Sequence, residues 1–313
     1  MTNRMWGEKP YHSLDYEMKK RFGEKVYKIS LESGLTCPNR DGTLGYGGCI
    51  FCSGSGSGDF ASPISASVTQ QIDQGIRGIS MRKQVGNKFI AYFQSFTNTY
   101  APTETLRPMY MEALRHPKVV ALSIATRPDC LPGEVIDLLK ECNEKKPVMV
   151  ELGLQTIHEA TARLIRRGYP LEVYDTAVER LHSAGLEVVT HVIAGLPGET
   201  SGHFLQTISH VAGCHSEGIK IQLLHILKNT VLADLYRQGD FEALTIQEYI
   251  DIVIHAISIL PEETIIHRLT GDGPKALLIA PEWSSQKRHV LNELHRQLKE
   301  RNIWQGKYRN PET

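Results

Sequence analysis

The chain has 313 residues, 41% of them hydrophobic, and is therefore long enough to bury a large core as two average domains or one large barrel. Thirty-five basic residues balance thirty-five acidic ones, which argues against a uniformly basic nucleic-acid binder but allows a local basic patch. The first residues lack an apolar leader segment and no run of eighteen apolar residues follows, so we expect a cytoplasmic protein without a membrane partner.

Short β-rich segments alternate with amphipathic segments along most of the chain. The predicted strands span 25–31, 88–95, 118–126, 147–155, 186–195, 218–227 and 263–269, and the predicted helices include 103–116, 133–145, 158–168, 170–184, 199–216 and 245–259. This alternation is typical of right-handed βαβ units around a parallel sheet. Because no G-x-G-x-x-G motif opens them, an α/β fold with a partial barrel is favoured over a dinucleotide-binding fold. We expect an N-terminal extension (1–24), a barrel core (25–270) and a C-terminal helical extension (271–313).

The loop after the first predicted strand, "CPNRDGTLGYGGCIFC", contains Cys37, Cys49 and Cys52, three of the six cysteines of the chain. Structural disulfides are rare in the cytosol, so a metal site or reactive thiols are favoured. A zinc site would need a fourth ligand, for which His12 is a distant candidate. A disulfide with one spare thiol and a Cys49–Cys52 redox pair are further alternatives. A [4Fe-4S] cluster with three cysteinates would leave one iron open to a substrate or cofactor. The following "SGSGSG" run predicts a flexible loop.

Polar residues alternate with apolar ones along two of the predicted strands. In "VELGLQT", Glu151, Gly153 and Gln155 share one face and the leucines share the other. Lys220 and Gln222 alternate in the same way with Ile219, Ile221 and Leu223. We therefore expect these polar side chains to point into the barrel, although a hydrated strand edge would produce the same pattern.

Two turns follow predicted strands at the edge where a barrel carries its catalytic loops. "ATRPDC" places Arg127 and Asp129 after the third strand, where a surface turn is the alternative explanation. "HVIAGLPGET" places Gly195 and Gly198 after the fifth, where glycine lets backbone approach a flat ligand.

Taken together, the cysteine triplet, "ATRPDC", "ELGLQT", "HVIAGLPGET" and "LKNT" resemble the radical S-adenosylmethionine (SAM) superfamily, in particular the subgroup containing the catalytic subunit of elongator. The likeness covers roughly residues 25–270 and is greatest to compact bacterial proteins of the YtqA type, which lack an acetyltransferase domain. It implies a partial (β/α)6 TIM-like barrel and a [4Fe-4S] cluster held by Cys37, Cys49 and Cys52. SAM would bind the open iron and be cleaved reductively to a 5′-deoxyadenosyl radical.

The resemblance also implies roles for individual residues. Glu151 and Gln155 would contact the SAM ribose or shape its pocket, and Arg127 would lie in the same cofactor site. Arg167, with Arg166 as its rival, would reach the methionyl carboxylate. The backbone of the Gly195–Gly198 turn would run alongside the adenine of SAM.

This chain departs from the superfamily pattern at two places. Eleven residues separate Cys37 from Cys49, more than in the commonest motif of the superfamily. The usual Gly-Gly-Glu after the second strand is replaced by "SFTNT", in which Thr97 and Asn98 are the candidates for holding the SAM amino group. The other three cysteines, Cys130, Cys142 and Cys214, are expected to be buried free thiols.

The substrate implied by the resemblance is tRNA, at the C5 side chain of a wobble uridine, with carboxymethylaminomethyl-uridine processing as the reaction. The expected electron donor is a flavodoxin- or ferredoxin-type protein, and DNA is not expected as a partner. A radical SAM enzyme for a small metabolite and a zinc-stapled, non-enzymatic interaction protein are the alternatives. The C-terminal segment offers phosphate contacts from basic residues beside Trp304 and Tyr308, namely Lys287, Arg288, Arg296, Lys299, Arg301, Lys307 and Arg309. A solvated amphipathic helix with Leu291, Leu294 and Leu298 inward explains the same segment.

Overall fold

The computed structural model describes residues 4–54, 56, 67–271 and 273–309, and half of the glycine-serine run after Cys52, predicted as a flexible loop, lies outside this part. Seven parallel strands form one sheet in the order β1-β2-β3-β4-β5-β6-β8, and β7 and β9 form a small antiparallel pair. The strands are β1 (Tyr27–Leu31), β2 (Phe89–Phe93), β3 (Val119–Thr126), β4 (Val148–Gln155), β5 (Glu187–Ala194), β6 (Gly218–Leu223), β7 (Ile226–Leu227), β8 (Ile265–Arg268) and β9 (Leu278–Ala280). The sheet curls into an open half-barrel, and the predicted partial barrel is confirmed.

Helices pack around this sheet, most of them on its outer face. They are α1 (Leu14–Phe22), α2 (Val68–Ser80), α3 (Thr103–Arg115), α4 (Gly133–Asn143), α5 (Glu159–Leu164), α6 (Leu171–Ser183), α7 (Ser201–Gly213), α8 (Val231–Gln238), α9 (Ile246–Ile259) and α10 (Lys287–Glu300). Leu152, Leu154, Ile219 and Ile221 belong to the core between strands and helices, so the predicted outward face of β4 and β6 is confirmed. Among the described residues, no helix is long and apolar enough to span a membrane.

The structure differs from the sequence-based prediction in three respects. The predicted strand 218–227 is divided, because Ile226 and Leu227 leave the parallel sheet to pair with β9. Helix α5 is shorter than the predicted 158–168, since Arg166 (φ 57°) and Gly168 (φ 85°) adopt left-handed conformations that end the helix. Helices α1, α2 and α8 lie outside the predicted set, although Thr230 and Gly239 cap α8 in the usual way.

Helix α1 closes the half-barrel at the amino ends of the strands. Its Met18 packs with inward-facing side chains near the starts of four strands, Ile90, Ala121, Met149 and Val189. An apolar floor therefore shuts this end of the barrel, and access to the interior is confined to the carboxyl ends of the strands.

The C-terminal segment runs from the open end of the barrel to the closed end. Near its start, the indole N–H of Trp283 donates to the carbonyl of Leu244, just before α9 (3.0 Å). Near its end, the Gln305 amide donates to the carbonyls of Pro261 and Thr264, just before β8. Leu294 and Leu298 of α10 are buried, which confirms the amphipathic helix.

Replacing Met18 with alanine is expected to destabilise the fold by about 2–5 kcal/mol, because the side chain is 1% exposed and its loss leaves a cavity in the floor. Urea unfolding followed by circular dichroism measures this change. Met81→Ala is the matched control: Met81 is 81% exposed, so the change should stay within about 0.5 kcal/mol. Equal stability of the two variants would contradict the role given to α1.

Candidate active site

One cavity joins the cysteine loop to the barrel interior. Its lining includes Cys37, Cys49 and Cys52 at the mouth and Glu151, His191, Lys220 and Gln222 on the strands. The predicted inward face of β4 and β6 is thereby confirmed, since Gly153 and Gln155 line the same cavity. The loops after the strands carry the thiols to the open end, as expected for a βα barrel.

Asn39 attaches the cysteine loop to the turn after α5. Its side-chain amide donates to the carbonyl of Arg166 at 2.7 Å and lies 3.5 Å from the Cys49 sulfur. The backbone N–H of Ile50 donates to the carbonyl of Ile165 (3.3 Å). The positions of the thiols therefore depend on the left-handed turn at Arg166, which the sequence alone does not indicate.

The donor set at the mouth suits an iron–sulfur cluster better than a single zinc ion. All three cysteines are free thiols, and their sulfurs do not form, among the described residues, a set of ligand atoms lying within 4.8 Å of one another. Four ligands around one zinc ion would be closer together than that. His12 cannot supply a fourth ligand, because its ring nitrogens pair with Glu17 (2.9 Å) and the Glu262 carbonyl (3.2 Å) near the closed end. Three thiols without a fourth protein ligand fit a cluster with one open iron.

A layer of polar side chains crosses the middle of the barrel, centred on Glu151 of β4. One carboxylate oxygen accepts hydrogen bonds from Lys28 (2.5 Å) and Ser123 (2.6 Å). The other accepts from His191 (2.7 Å) and Lys220. The carboxylate is therefore fully paired although its residue is 1% exposed.

Burial and charge shift the titration of this layer. Burial alone would raise the pKa of Glu151, but Lys220 and Lys28 hold it well below its ordinary value. Burial lowers the pKa of Lys220 to about 7, and Glu151 opposes this effect. Burial, reinforced by Lys220, lowers the pKa of His191 to about 4, so its imidazole is neutral at pH 7. The layer thus combines one carboxylate with lysines and a neutral histidine.

Gln155 ends β4 at the mouth in a left-handed conformation (φ 68°), next to a register shift of the strand. Its side-chain oxygen is buried and has no hydrogen-bond donor among the described residues. A Cβ atom at Gly153 would lie 2.9 Å from the Gln155 amide nitrogen, so glycine is needed there for this arrangement. An unpaired buried acceptor beside the cysteines is suited to a ligand hydroxyl.

Arg127 and Arg167 form a second wall of the cavity around the ring of Tyr169. Arg127 pairs with Asp129 (2.7 Å) and donates to the carbonyl of Arg167 (2.8 Å). Arg167 donates to Glu159 (2.8 Å) and to the Tyr169 carbonyl (2.9 Å). Both guanidinium groups lie over the Tyr169 ring, within 5.1 Å of its centroid. Arg166, the rival of Arg167, is exposed and outside the cavity lining.

The other predicted site residues are divided between the cavity and its surroundings. Thr97 lines the cavity, whereas Asn98 uses its amide to donate to the carbonyls of Phe93 and Ala125 and lies outside the lining. Gly195 and Gly198 also lie outside the lining. Gly195 (φ 86°) instead permits the close approach of Leu244, whose side chain would be 3.0 Å from an added Cβ.

The three cysteines outside the loop have no common site. Cys130 and Cys142 are buried free thiols, as predicted, and Cys214 is half-buried beside Asp175, whose carboxylate accepts from the thiol (3.6 Å). Burial raises the pKa of each thiol to about 12, so all three remain protonated.

Sequence reasoning missed Lys28, Tyr92 and His191. Tyr92 lies under Lys220, which donates to its hydroxyl at 3.0 Å. The missed signal is the same strand parity that identified Glu151 and Lys220, because each of the three is a polar or amphipathic residue on the inner face of an otherwise apolar strand.

The comparisons with known proteins agree on one family. Residues 36–211 match the family model of the radical SAM superfamily, and residues 216–300 match that of the Radical_SAM C-terminal domain. The protein YtqA of Bacillus subtilis (strain 168) is 46% identical over 301 residues, which cover 96% of this chain and 93% of YtqA. A tRNA uridine(34) acetyltransferase of Methanocaldococcus infernus is 29% identical over 172 residues, or 54% of this chain and 31% of that protein.

Among solved structures, the archaeal Methanocaldococcus infernus Elp3 with an N-terminal deletion (1–46) has a TM-score of 0.69 at 17% identity. The match covers 90% of this chain and 64% of that one. At this identity the likeness concerns the fold, and it agrees with the half-barrel described above.

Glu151→Gln is expected to destabilise the protein by about 3–5 kcal/mol at pH 7, because it leaves the buried Lys220 and the half-buried Lys28 without their carboxylate. The folded-state pKa of Glu151 is lowered, so its contribution is present above the unfolded value of 4.5 and is lost as pH falls towards the folded value. The stability difference between wild type and variant should therefore shrink below about pH 4.5.

Urea unfolding between pH 3 and pH 8 measures this difference. Glu242→Gln, at an exposed loop position, should change stability by less than about 0.5 kcal/mol at any pH. A pH-independent effect of Glu151→Gln would show that the ion pairs do not stabilise the fold.

Proposed function

The chain belongs to the radical SAM superfamily, and from this membership we propose that it is an enzyme that acts on the C5 side chain of a tRNA wobble uridine, in carboxymethylaminomethyl-uridine processing. The observation that carries the proposal is the single cavity that connects the three thiols of the cysteine loop to the buried polar layer around Glu151. A reactive cofactor at the mouth and a substrate side chain inside the barrel would share that cavity.

In this proposal Cys37, Cys49 and Cys52 would each bind one iron of a [4Fe-4S] cluster. SAM would bind the fourth iron. When bound, cluster and SAM supply a 5′-deoxyadenosyl radical that removes hydrogen from an unactivated C–H bond. A flavodoxin- or ferredoxin-type protein would deliver the electron. The barrel, closed at its floor by α1, would exclude water from this chemistry.

Residues of the mouth would position SAM. The unpaired oxygen of Gln155 is suited to accept a hydrogen bond from a ribose hydroxyl. Glu151 would shape the pocket from the polar layer in the middle of the barrel. Arg127 and Arg167 would place positive charge beside the methionyl carboxylate, with their own geometry fixed by Asp129 and Glu159. Thr97 is the better placed of the two candidates for the SAM amino group, because it lines the cavity.

The adenine is assigned to the neighbourhood of the Gly195–Gly198 turn. Leu196 of this turn packs with Ile193 of β5 beside the cavity, and the turn would contact the adenine through these two side chains. Ile193 itself lines the cavity and offers the base an apolar surface.

A tRNA substrate is supported by the likeness to a tRNA uridine(34) acetyltransferase and by cations at the mouth. Lys228 follows β7, Lys275 precedes β9, and both side chains are exposed. Their chain neighbours Leu227 and Pro274 line the cavity. Lys287 and Arg288 begin α10 at the same end of the barrel. These four side chains could neutralise phosphates around an inserted nucleotide.

The end of the C-terminal segment is less suitable for this contact than its start. Arg309 lies near the closed end of the barrel, where it pairs with Glu263 (3.6 Å), and Arg301 pairs with Asp251 of α9 (2.6 Å). Arg296 is bracketed by Glu293 and Glu300. We therefore assign tRNA binding to the rim of the mouth, not to the whole basic segment.

Anaerobically reconstituted protein is expected to hold about four irons per chain, with an electron paramagnetic resonance signal that changes on addition of SAM. Cys37→Ala, Cys49→Ala or Cys52→Ala should abolish the cluster, since each removes one thiolate ligand. Iron and sulfide analysis with spectroscopy measures both outcomes.

Cys142→Ala serves as the control, because Cys142 is a buried thiol between helices and strands on the outer face. It should retain full iron content. Stoichiometric zinc without iron after reconstitution would refute the cluster and favour the zinc-stapled alternative.

A strain lacking this protein is expected to accumulate an upstream wobble-uridine intermediate, detected by mass spectrometry of tRNA nucleosides. Wild type should restore the profile and Cys49→Ala should not. Lys228→Glu combined with Lys275→Glu should restore it poorly, because charge reversal at the rim repels phosphates.

Lys307→Glu combined with Arg309→Glu is the matched control, with the same charge change beside the end of α9, where the backbone N–H of Tyr308 donates to the carbonyl of Ser258 (2.8 Å). It should restore the profile as wild type does, and a salt titration of tRNA binding should separate the two pairs. An unchanged nucleoside profile in the deletion strain would reject the tRNA substrate and favour a small metabolite.

A further inference from the structure

Three metal-ligating side chains of different kinds meet between helices α6 and α7, on the outside of the barrel. Asp175 belongs to α6, His210 belongs to α7, and Cys214 is the C-cap of α7. One ligand atom of each residue, a carboxylate oxygen, an imidazole nitrogen and a thiol sulfur, lies within 4.8 Å of the other two. In the part of the chain that the structure describes, this is the one group of its kind.

The spacing of the two α7 residues places them on one face of the helix. Residues four apart are neighbours on a helix surface, and the backbone N–H of Cys214 donates to the carbonyl of His210 (2.9 Å). Both side chains contact the same oxygen of Asp175: Nε2 of His210 lies 2.7 Å from Oδ1, and the Cys214 thiol donates to Oδ1 at 3.6 Å. The three polar atoms therefore converge on one place between the helices.

The distances in this group are close to those of a tetrahedral zinc site. Zinc bonds of about 2.3 Å to sulfur and about 2.0 Å to nitrogen or oxygen place neighbouring ligand atoms about 3.3–3.5 Å apart. The sulfur and oxygen at 3.6 Å are already at this separation, and the nitrogen and oxygen at 2.7 Å need to move apart only slightly. A thiolate, an imidazole and a carboxylate together also suit zinc, which accepts all three ligand types.

The surroundings orient the imidazole and favour a cation. The ring of His210 packs against that of Tyr174, which is fully buried, at a centroid distance of 6.3 Å. The charged groups that act on the Cys214 thiol are Asp175 and Glu179, and both are acidic. The side chains of Asp175 and His210 are 35% and 27% exposed, so an ion and a water ligand can reach the site from solvent.

We propose that Asp175, His210 and Cys214 form a second metal site, which binds one zinc ion and cross-links α6 to α7. A water molecule is the fourth ligand. Because zinc binds the thiolate, the thiol proton of Cys214 leaves to the solvent when the ion binds. The site shares no ligand with the cysteine loop and does not depend on the proposed function.

The test uses the full chain with its cluster loaded, so that iron occupies the loop cysteines, and measures zinc after equilibrium dialysis. Wild type is expected to retain about one zinc ion per chain in addition to its iron. X-ray absorption at the zinc edge is element-specific and should show one sulfur ligand at about 2.3 Å and nitrogen or oxygen ligands at about 2.0 Å. The combined variant Cys37→Ala, Cys49→Ala and Cys52→Ala should give the same zinc spectrum without a cluster, which keeps this test independent of cluster binding.

Two variants remove one ligand each. Cys214→Ser should weaken zinc binding at least about 100-fold, because the loss of a mere outer partner of a ligand already costs about 10–100-fold. Its hydroxyl can still donate to Asp175, so the variant should fold as wild type does. Asp175→Asn, at a partly exposed position on α6, should weaken zinc binding to a similar extent, and it provides the measurement if Cys214→Ser does not fold.

His182→Gln is the matched control. His182 of α6 pairs with Glu217 at 3.3 Å, and its side chain is 29% exposed, close to the 27% of His210. This pair has no third ligand among the described residues. His182→Gln should therefore leave the zinc affinity and the sulfur ligand unchanged.

Hydrogen exchange adds a readout of the cross-link itself. Zinc should slow the exchange of backbone amides in α6 and α7 of wild type and should not do so in Cys214→Ser. Wild type that retains no zinc after dialysis would overturn the proposal. Zinc that shows several sulfur ligands and persists in Cys214→Ser would belong to the loop cysteines and would overturn it as well.

Discussion

The buried carboxylate of Glu151 is the interaction on which the shape of the barrel depends. Glu151 lies on β4, at the centre of the seven-stranded sheet, yet Lys28 reaches it from the edge strand β1 and Lys220 from β6. In a flat sheet β1 would be about 14 Å from β4, three strand spacings away and too far for a lysine. The ion pairs can form only if the sheet curls. The pairing of the Glu151 charge and the closing of the half-barrel therefore depend on each other.

The interior is layered along the strand direction, and each layer has its own chemistry. Apolar side chains beneath α1 close the amino ends, the charged layer around Glu151 fills the middle, and the thiols lie at the carboxyl ends. Segments near both ends of the described chain meet at the closed end, where the backbone N–H of Gln305 donates to the carbonyl of Pro10 (2.9 Å). The loops at the other end carry the site.

Local patterns in the sequence were sufficient for the seven strands of the parallel sheet, most helices and the inward direction of Glu151 and Lys220, but not for the small antiparallel pair of β7 and β9. The partners of Glu151 were not predictable in the same way, because Lys28 and Glu151 are 123 residues apart and meet only in the curled sheet. The early end of α5 depends on a left-handed Arg166, a residue type that does not signal such a turn. The basic residues of the C-terminal segment are close together in sequence, but several of them pair with nearby acidic residues, as Arg296 does with Glu293 and Glu300.

The same cavity holds two kinds of arginine and lysine, and their counter-ions distinguish them. Arg127 and Arg167 each have an acidic partner on a nearby turn or helix, Asp129 and Glu159, so their charge is balanced without a ligand and their geometry is fixed. Lys28 and Lys220 must share Glu151, and burial lowers the pKa of Lys220 to about 7. The two pairs of cations therefore differ in how their charge is balanced: each arginine has a carboxylate of its own, whereas the two lysines depend on the single carboxylate of Glu151.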